Sequence, residues 1–281
     1  MRWNYPFSDR NSREITLPPI ALTGEMRPKW LVPVVLAAPL CWGQAPLYTA
    51  DSIVNASDYS VGPFAPNSVL SIFGTNLSWS TAAYNSTQTA QSLLPMELAG
   101  AAVYVNSFPA PLLYVSPSQI NFLIPGNEIP GNAQVRVVRE GTSGPPVNLT
   151  LVNGAPALFV TGTGFAIATH LDGSLVNDTS PAHGGEYIVL YATGLGATDP
   201  NPPLGQIPQA AALLHWLGAL SVSLDGAPLP ASAIYYAGLT PRYAGLYQLN
   251  IQLPQNVAPE PAIQVSIGTQ TCAGSLKIAV Q

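Results

Sequence analysis

The chain has 281 residues, among them 29 prolines, 24 glycines and only 23 charged side chains (9 Lys and Arg, 14 Asp and Glu), for a net charge of −5. Proline and glycine together reach about 19%, against about 12% in ordinary globular proteins, and charge stands at 8% where about 25% is usual. With 47% apolar residues the chain is not disordered, its breakers exclude a helical bundle, and its acidity excludes a nucleic-acid partner.

The N-terminus reads as an address. Residues 1–25 resemble neither a signal nor a domain, and fit a mis-called start or a disordered extension, with translation beginning at Met26. Arg27 and Lys29 then precede the apolar run Trp30 to Leu40, and small residues follow at Gly43 and Ala45. That pattern predicts a signal peptide over 26–44, cleaved near 43–45, and a secreted, extracellular or periplasmic protein. The run is about 11 residues where a spanning helix needs about 20, so no membrane span is expected in the mature chain. The other readings are a buried apolar segment of a soluble extension and an uncleaved anchor. Leu40 is not the small residue that lipidation of Cys41 would require. Loss of residues 1–43 removes five cations and three acids and leaves a net charge of −7. Arg136, Arg139, Arg242 and Lys277 are too few for the roughly 6–10 phosphate contacts of a DNA binder. Cys272 is then the one thiol, which rules out an intrachain disulfide; it reads as an incidental loop thiol, with intermolecular pairing as the alternative.

Beyond the signal the chain repeats itself. Ser71–Leu77 aligns with Val189–Leu195 at an offset of 118, and Val103–Asn106 with Val222–Asp225 at 119. Gln119–Pro125 aligns with Gln248–Pro254 at 129, and Val147–Leu151 with Leu276–Val280 at 129. The jump in offset reads as one insertion around Gly238 to Leu246. A period this long fits tandem domains rather than a solenoid, predicted at 45–154 and 155–281. Each block alternates apolar and polar residues, as Leu249, Ile251 and Leu253 do with Asn250 and Gln252, which is the period of a half-buried strand. Tyr187–Tyr191, apolar throughout, reads as a strand buried on both faces. Turn clusters such as Gly141–Pro146 and Asp199–Pro203 separate the runs. Gln209–Leu217 is the one candidate for a short helix. The fold class is therefore all-β: two tandem immunoglobulin-like β-sandwich domains after a signal peptide.

Two resemblances accompany this reading. Gly74-Thr75-Asn76-Leu77, Val103-Tyr104-Val105-Asn106, Ile120 to Pro125 and Gly131 to Val137 resemble the IPT/TIG branch of immunoglobulin-like domains. The second half departs at the first motif, where it has Ala192-Thr193-Gly194-Leu195. Residues 51–281 also resemble a C-terminal domain family of unknown function abundant in secreted proteins of acidobacteria. Val54-Asn55-Ala56-Ser57, Ser71 to Leu77, Pro111 to Phe122, Leu190 to Gly196, Ala237-Gly238-Leu239 and Gly245 to Asn250 carry that likeness. It implies secretion and tandem sandwiches, and brings no catalytic residues with it.

Catalytic groups are scarce. His170, His183 and His215 are the only histidines, and no Gly-x-Ser-x-Gly elbow accompanies them. The acids lie mainly in turns such as Asp172-Gly173 and Asp225-Gly226, where Asx-turn bonding explains them. His170-x-Asp172 and Asp199-Pro200-Asn201 offer too few ligands for zinc or calcium, so no metal or cofactor is predicted. The aromatic residues outside the regular blocks are the better candidates: Trp79, Tyr84, Trp216, Tyr235, Tyr236 and Tyr243 could stack on a sugar, cap a sandwich or fill the contact between domains. The sequence thus points to a secreted, non-catalytic binding, adhesion or spacer module for a glycan or protein partner. The alternatives are an accessory region of a carbohydrate-active enzyme and a structural protein of the cell envelope.

Overall fold

A computed structural model describes residues 43–85, 92–274 and 276–281. The predicted signal peptide and alternative start lie outside the described residues, apart from the last positions of the cleavage region.

Ten strands precede residue 152: β1 (Ile53–Asn55), β2 (Val69–Phe73), β3 (Ala82–Ala83), β4 (Ala101–Val105), β5 (Phe108–Ala110), β6 (Leu112–Val115), β7 (Gln119–Leu123), β8 (Gly131–Arg139), β9 (Thr142–Ser143) and β10 (Val147–Leu151). They form one antiparallel sheet in the order β1-β2-β7-β6-β3 and another in the order β10-β8-β4-β5, with β9 on β8. Leu70, Ile72, Ile120 and Phe122 face Val103, Val105, Val135 and Val137 across a fully buried core. Each such side chain contributes about 1.5–3 kcal/mol on burial.

The second sandwich repeats the arrangement. Its strands are β11 (Ala157–Leu158), β12 (Ala168–His170), β13 (Tyr187–Thr193), β14 (Thr198–Asp199), β15 (Ala212–Leu214), β16 (Leu220–Leu224), β17 (Ala227–Pro228), β18 (Ile234–Leu239), β19 (Tyr247–Gln252), β20 (Ala262–Ile267), β21 (Gln270–Thr271) and β22 (Leu276–Lys277). One sheet runs β11-β13-β19-β18-β15-β14, with β12 on β13; the other runs β17-β16-β20-β21, with β22 on β20. Ile188, Leu190, Leu249 and Ile251 pack against Val222, Ile263 and Val265.

The duplication extends to irregularities. β6 shifts register against β7 between Leu112 and Tyr114, and β18 shifts against β19 at the equivalent Ile234 and Tyr236. Asn106 and Asp225, one repeat apart, both take positive φ (52° and 49°) in a hairpin turn. The offset does not rise in one step: it is 122 at the two bulges, so three extra residues precede β18 and seven follow it, in Thr240–Leu246.

Three expectations are corrected. Gln209–Leu217 is not helical: Ala212–Leu214 pairs with Gly238 and Leu239 of β18, and only Leu217–Ala219 forms a 3₁₀ turn. Its apolar residues alternate in and out, a period of two, and pairing with the sheet outweighs the weak local preference. β13 is not buried on both faces, because Tyr187 and Tyr191 lie half-exposed on the side away from the core. The alternative of intermolecular pairing through Cys272 falls away: this thiol, just past the end of β21, is buried in the second core, and its Sγ accepts the Val265 N–H at 3.3 Å. Burial also pushes its pKa up, which lowers the thiolate fraction.

The second sandwich's inserted loop docks on the first. Thr193 Oγ1 accepts the Val69 N–H at 3.0 Å and donates to the Gly245 carbonyl at 2.9 Å. Asn67 Nδ2 donates to Asn201 Oδ1, and Asn201 Nδ2 to the Gly126 carbonyl, each at 2.9 Å. Leu94, Leu123 and Ile207 form a third buried cluster between the sandwiches, with Tyr84 and Ala244 at its edge. Gly245 has φ +70°, and a Cβ there would stand 2.5 Å from side chains of both Leu123 and Val69.

Candidate functional site

The period of two gives the site its composition. Along β19, Tyr247, Leu249 and Ile251 point into the core, so Gln248, Asn250 and Gln252 all reach the outer face. On β13 the same parity leaves Tyr187 and Tyr191 half-exposed, with Val189 buried between them. Register sets them side by side as Tyr187–Gln252, Val189–Asn250 and Tyr191–Gln248. The bulge in β18 brings Tyr235 to the end of this row, 58% exposed. Its ring meets Tyr187 edge-on with centroids 4.9 Å apart, and the two hydroxyls are 3.0 Å from each other. A shallow cleft of about 390 Å³ adjoins them, lined by Pro230, Tyr235, Gln252, Pro254 and Gln255.

The face carries no charge. Gln248 Nε2 donates to Asn250 Oδ1 at 3.1 Å, which leaves the Gln248 carbonyl oxygen and the Asn250 Nδ2 donor without protein partners among the described residues. Gln252 Nε2 donates to the Gly185 carbonyl at 3.1 Å. The bond to Tyr235 pushes the Tyr187 hydroxyl pKa up, so that ring stays neutral. Paired donors and acceptors beside apolar ring faces suit hydroxyl-rich, uncharged ligands.

The six aromatic residues singled out in the sequence do not converge. Tyr235 belongs to the face just described. Tyr236 lies along its own strand, its hydroxyl donating to the Leu239 carbonyl at 2.7 Å and accepting the Ala212 N–H at 3.2 Å. Tyr84 packs at the contact between the sandwiches. Trp79, in the loop before β3, has the buried Arg139 guanidinium 3.8 Å from its ring centre, which occupies one face of the indole. Trp216, before β16, meets His215 edge-on at 4.8 Å and borders a separate cleft of about 250 Å³ with Val152, Asn153 and Gln270. Tyr243 is exposed on the inserted loop. The sequence reading passed over Tyr187, Tyr191, Gln248, Asn250 and Gln252, although the amides at alternate positions of β19 mark an outer face.

One cluster has the outline of a catalytic triad. His170 Nδ1 bonds the Glu186 carboxylate, and His170 Nε2 stands 3.2 Å from both the hydroxyl and the carbonyl oxygen of Ser180. The Glu186 bond raises the His170 pKa and so favours imidazolium, whose Nε2–H would donate to the Ser180 carbonyl. The Ser180 and Thr179 N–H groups, which could have stabilised an oxyanion, are both given to Asn177 Oδ1. The cluster ties a turn together. Asp172 similarly accepts from Ser174, and Asp225 from the Ala262 N–H. Among the described residues no group of three or more His, Cys, Asp or Glu could hold a metal, and no helix is long and apolar enough to cross a membrane.

No protein family and no curated protein matches the chain. Solved structures that it is similar to include the surface glycan-binding protein PbSGBP-B from Prevotella bryantii, at 14% identity and a TM-score of 0.25 over 81% of this chain and 41% of that one. SGBP-B of the Bacteroides ovatus mixed-linkage glucan utilization locus aligns at 10% identity and 0.33, over 84% and 45%. Domains 5-6 of the S-layer protein SbsC align at 11% and 0.25, over 84% and 98%. The chain spans less than half the length of either glycan-binding protein.

Proposed function

We propose that this protein is a secreted, non-catalytic binding module whose second sandwich takes a neutral glycan on the outer face of β13, β19 and β18. The observation that carries the reading is the uncharged row of Tyr187, Tyr191, Tyr235, Gln248, Asn250 and Gln252 beside an open cleft. A pyranose ring presents C–H groups to an aromatic face and hydroxyls at its rim. A hydroxyl both donates and accepts, and so can use the Gln248 carbonyl and the Asn250 amide together. The scarcity of cations supports an uncharged partner over an acidic one. The sequence features before Gly43 support an extracellular or periplasmic setting.

Affinity electrophoresis against cellulose-, xylan- and mannan-type polymers tests this. Tyr235→Ala and Gln252→Ala are expected to weaken retention by about tenfold or more, the loss of one stacking or hydrogen-bond contact in a site of this size. Trp216→Ala measures whether its separate cleft contributes. Retention unaffected by Tyr235→Ala and Gln252→Ala together would overturn the placement.

A further inference from the structure

The part of this face formed by Tyr191, Gln248 and Asn250 has a counterpart on the first sandwich, whereas Tyr187, Tyr235 and Gln252 correspond to Val69, Leu113 and Leu123 in the apolar cluster between the sandwiches. Phe73 stands one repeat from Tyr191, Tyr114 from Tyr236, Gln119 from Gln248 and Asn121 from Asn250. The register is the same: Phe73 lies opposite Gln119 and Tyr114 opposite Asn121, as Tyr191 lies opposite Gln248 and Tyr236 opposite Asn250. The amides repeat their hydrogen bond as well, with Gln119 Nε2 donating to Asn121 Oδ1 at 2.8 Å. Ser71 Oγ also donates to that oxygen at 2.9 Å. Among the described residues, the Gln carbonyl and the Asn Nδ2 are thus left without protein partners on both faces.

One feature belongs to the first face alone. Tyr59 has φ +58°, a conformation that costs a non-glycine residue about 1–2 kcal/mol, and its ring lies 6.1 Å from that of Phe73. Tyr59 is 61% exposed and Phe73 37% exposed, so the aromatic pair faces solvent. The Tyr59 N–H donates to the Asn55 carbonyl at 3.1 Å and the Asn55 N–H to the Ser60 carbonyl at 2.9 Å, so the turn that carries the ring is closed by its own backbone. Both rows also start at the contact between the sandwiches, where Val69 N–H meets Thr193 Oγ1, because Val69 precedes Ser71 and Phe73 on the same face as Thr193 follows Tyr191 on its own.

We propose that Tyr59, Phe73, Gln119 and Asn121 form a second site for the same class of ligand, a neutral oligosaccharide, and that the protein is bivalent for a neutral polysaccharide. This rests on the function proposed for the second sandwich. Two sites on one docked body convert the second binding event into an intramolecular one, so polymer is held more tightly than either site holds a short chain.

The test is calorimetric titration of the full protein with cellohexaose, xylohexaose and mannohexaose, followed by their parent polymers. Variants are Phe73→Ala with Gln119→Ala for the first face, and Tyr235→Ala with Gln252→Ala for the second. Asn121→Asp serves as a near-isosteric variant that removes the donor without opening the surface. Expected are two hexasaccharides bound per wild-type chain and one per chain in either double variant, with polymer affinity reduced about a hundredfold in each. A wild-type stoichiometry of one, unchanged in the first-face variant and in Asn121→Asp but abolished in the second-face variant, overturns the second site and leaves the function standing. A single site lost only with the first-face changes overturns bivalency and moves the function to the first sandwich. No binding of any hexasaccharide or polymer overturns both.

Discussion

His170 shows how little of a residue's role is set by its chemical type. Its ring bonds Glu186 on one side and Ser180 on the other, and the Glu186 bond holds its pKa above the ordinary 6.5. Burial pushes Glu186 upward, but its bonds to His170 and to the His183 N–H outweigh that and hold it below its ordinary 4.5. The signs then follow. A raised histidine stabilises the fold fully below its unfolded value and loses that contribution as pH climbs through the folded one. A lowered carboxylate contributes above its unfolded value and loses it as pH falls through the folded one. Wild-type protein is therefore expected to melt higher at about pH 5.5 than at about pH 8.5, and His170→Gln to lose that difference. Equal melting shifts in the two proteins would refute it. The histidine was legible in the sequence as a weak candidate for chemistry. Its neighbours were not, because Ser180 and Glu186 meet it only once the turn closes.

At the scale of elements, the strands were readable because their side chains alternate. β8, β19 and β20 each carry the pattern in plain view, and the repeat of β2, β4, β7 and β10 one period later fixed their order. β15 was misread because three residues are too few for a period to declare itself. Its existence depends on Gly238 instead: a Cβ there would stand 2.1 Å from the Ala212 carbonyl oxygen and 2.8 Å from the Tyr236 hydroxyl. Gly238→Ala is therefore expected to push β15 off β18 and destabilise the protein by about 1–3 kcal/mol, read by urea denaturation. A cost below about 0.5 kcal/mol, the range of ordinary surface changes, would show that the two strands separate freely. The outer face was missed for a related reason. Amides between apolar residues look like ordinary solvent-facing positions until register sets them beside Tyr187 and Tyr191.

For the whole molecule, the consequential step is the docking of the two sandwiches. Seven of the residues that distinguish the second copy lie in Thr240–Leu246, and that loop reaches the first sandwich at Val69 and Leu123. Gly245→Val would meet both an unfavourable φ and two occupied positions. The expectation is one cooperative thermal transition in the wild type and two in the variant, followed by calorimetry. A single transition at the wild-type temperature would show that the contact does not couple the halves. If both faces bind, this contact also fixes the spacing between them, on which avidity for a polymer depends.

Composition, period and repetition determined by themselves that the protein is all-β, duplicated and poor in charged residues, since each of these is read from composition or from neighbours along the chain. Tertiary structure alone decided that Cys272 is buried, that Tyr84 lies at the contact between the sandwiches and that Tyr59 stands beside Phe73. It alone joined Tyr187, Tyr235 and Gln252 into one surface. Those outcomes depend on strand register and loop closure, which bring together residues dozens of positions apart and leave no trace in local pattern.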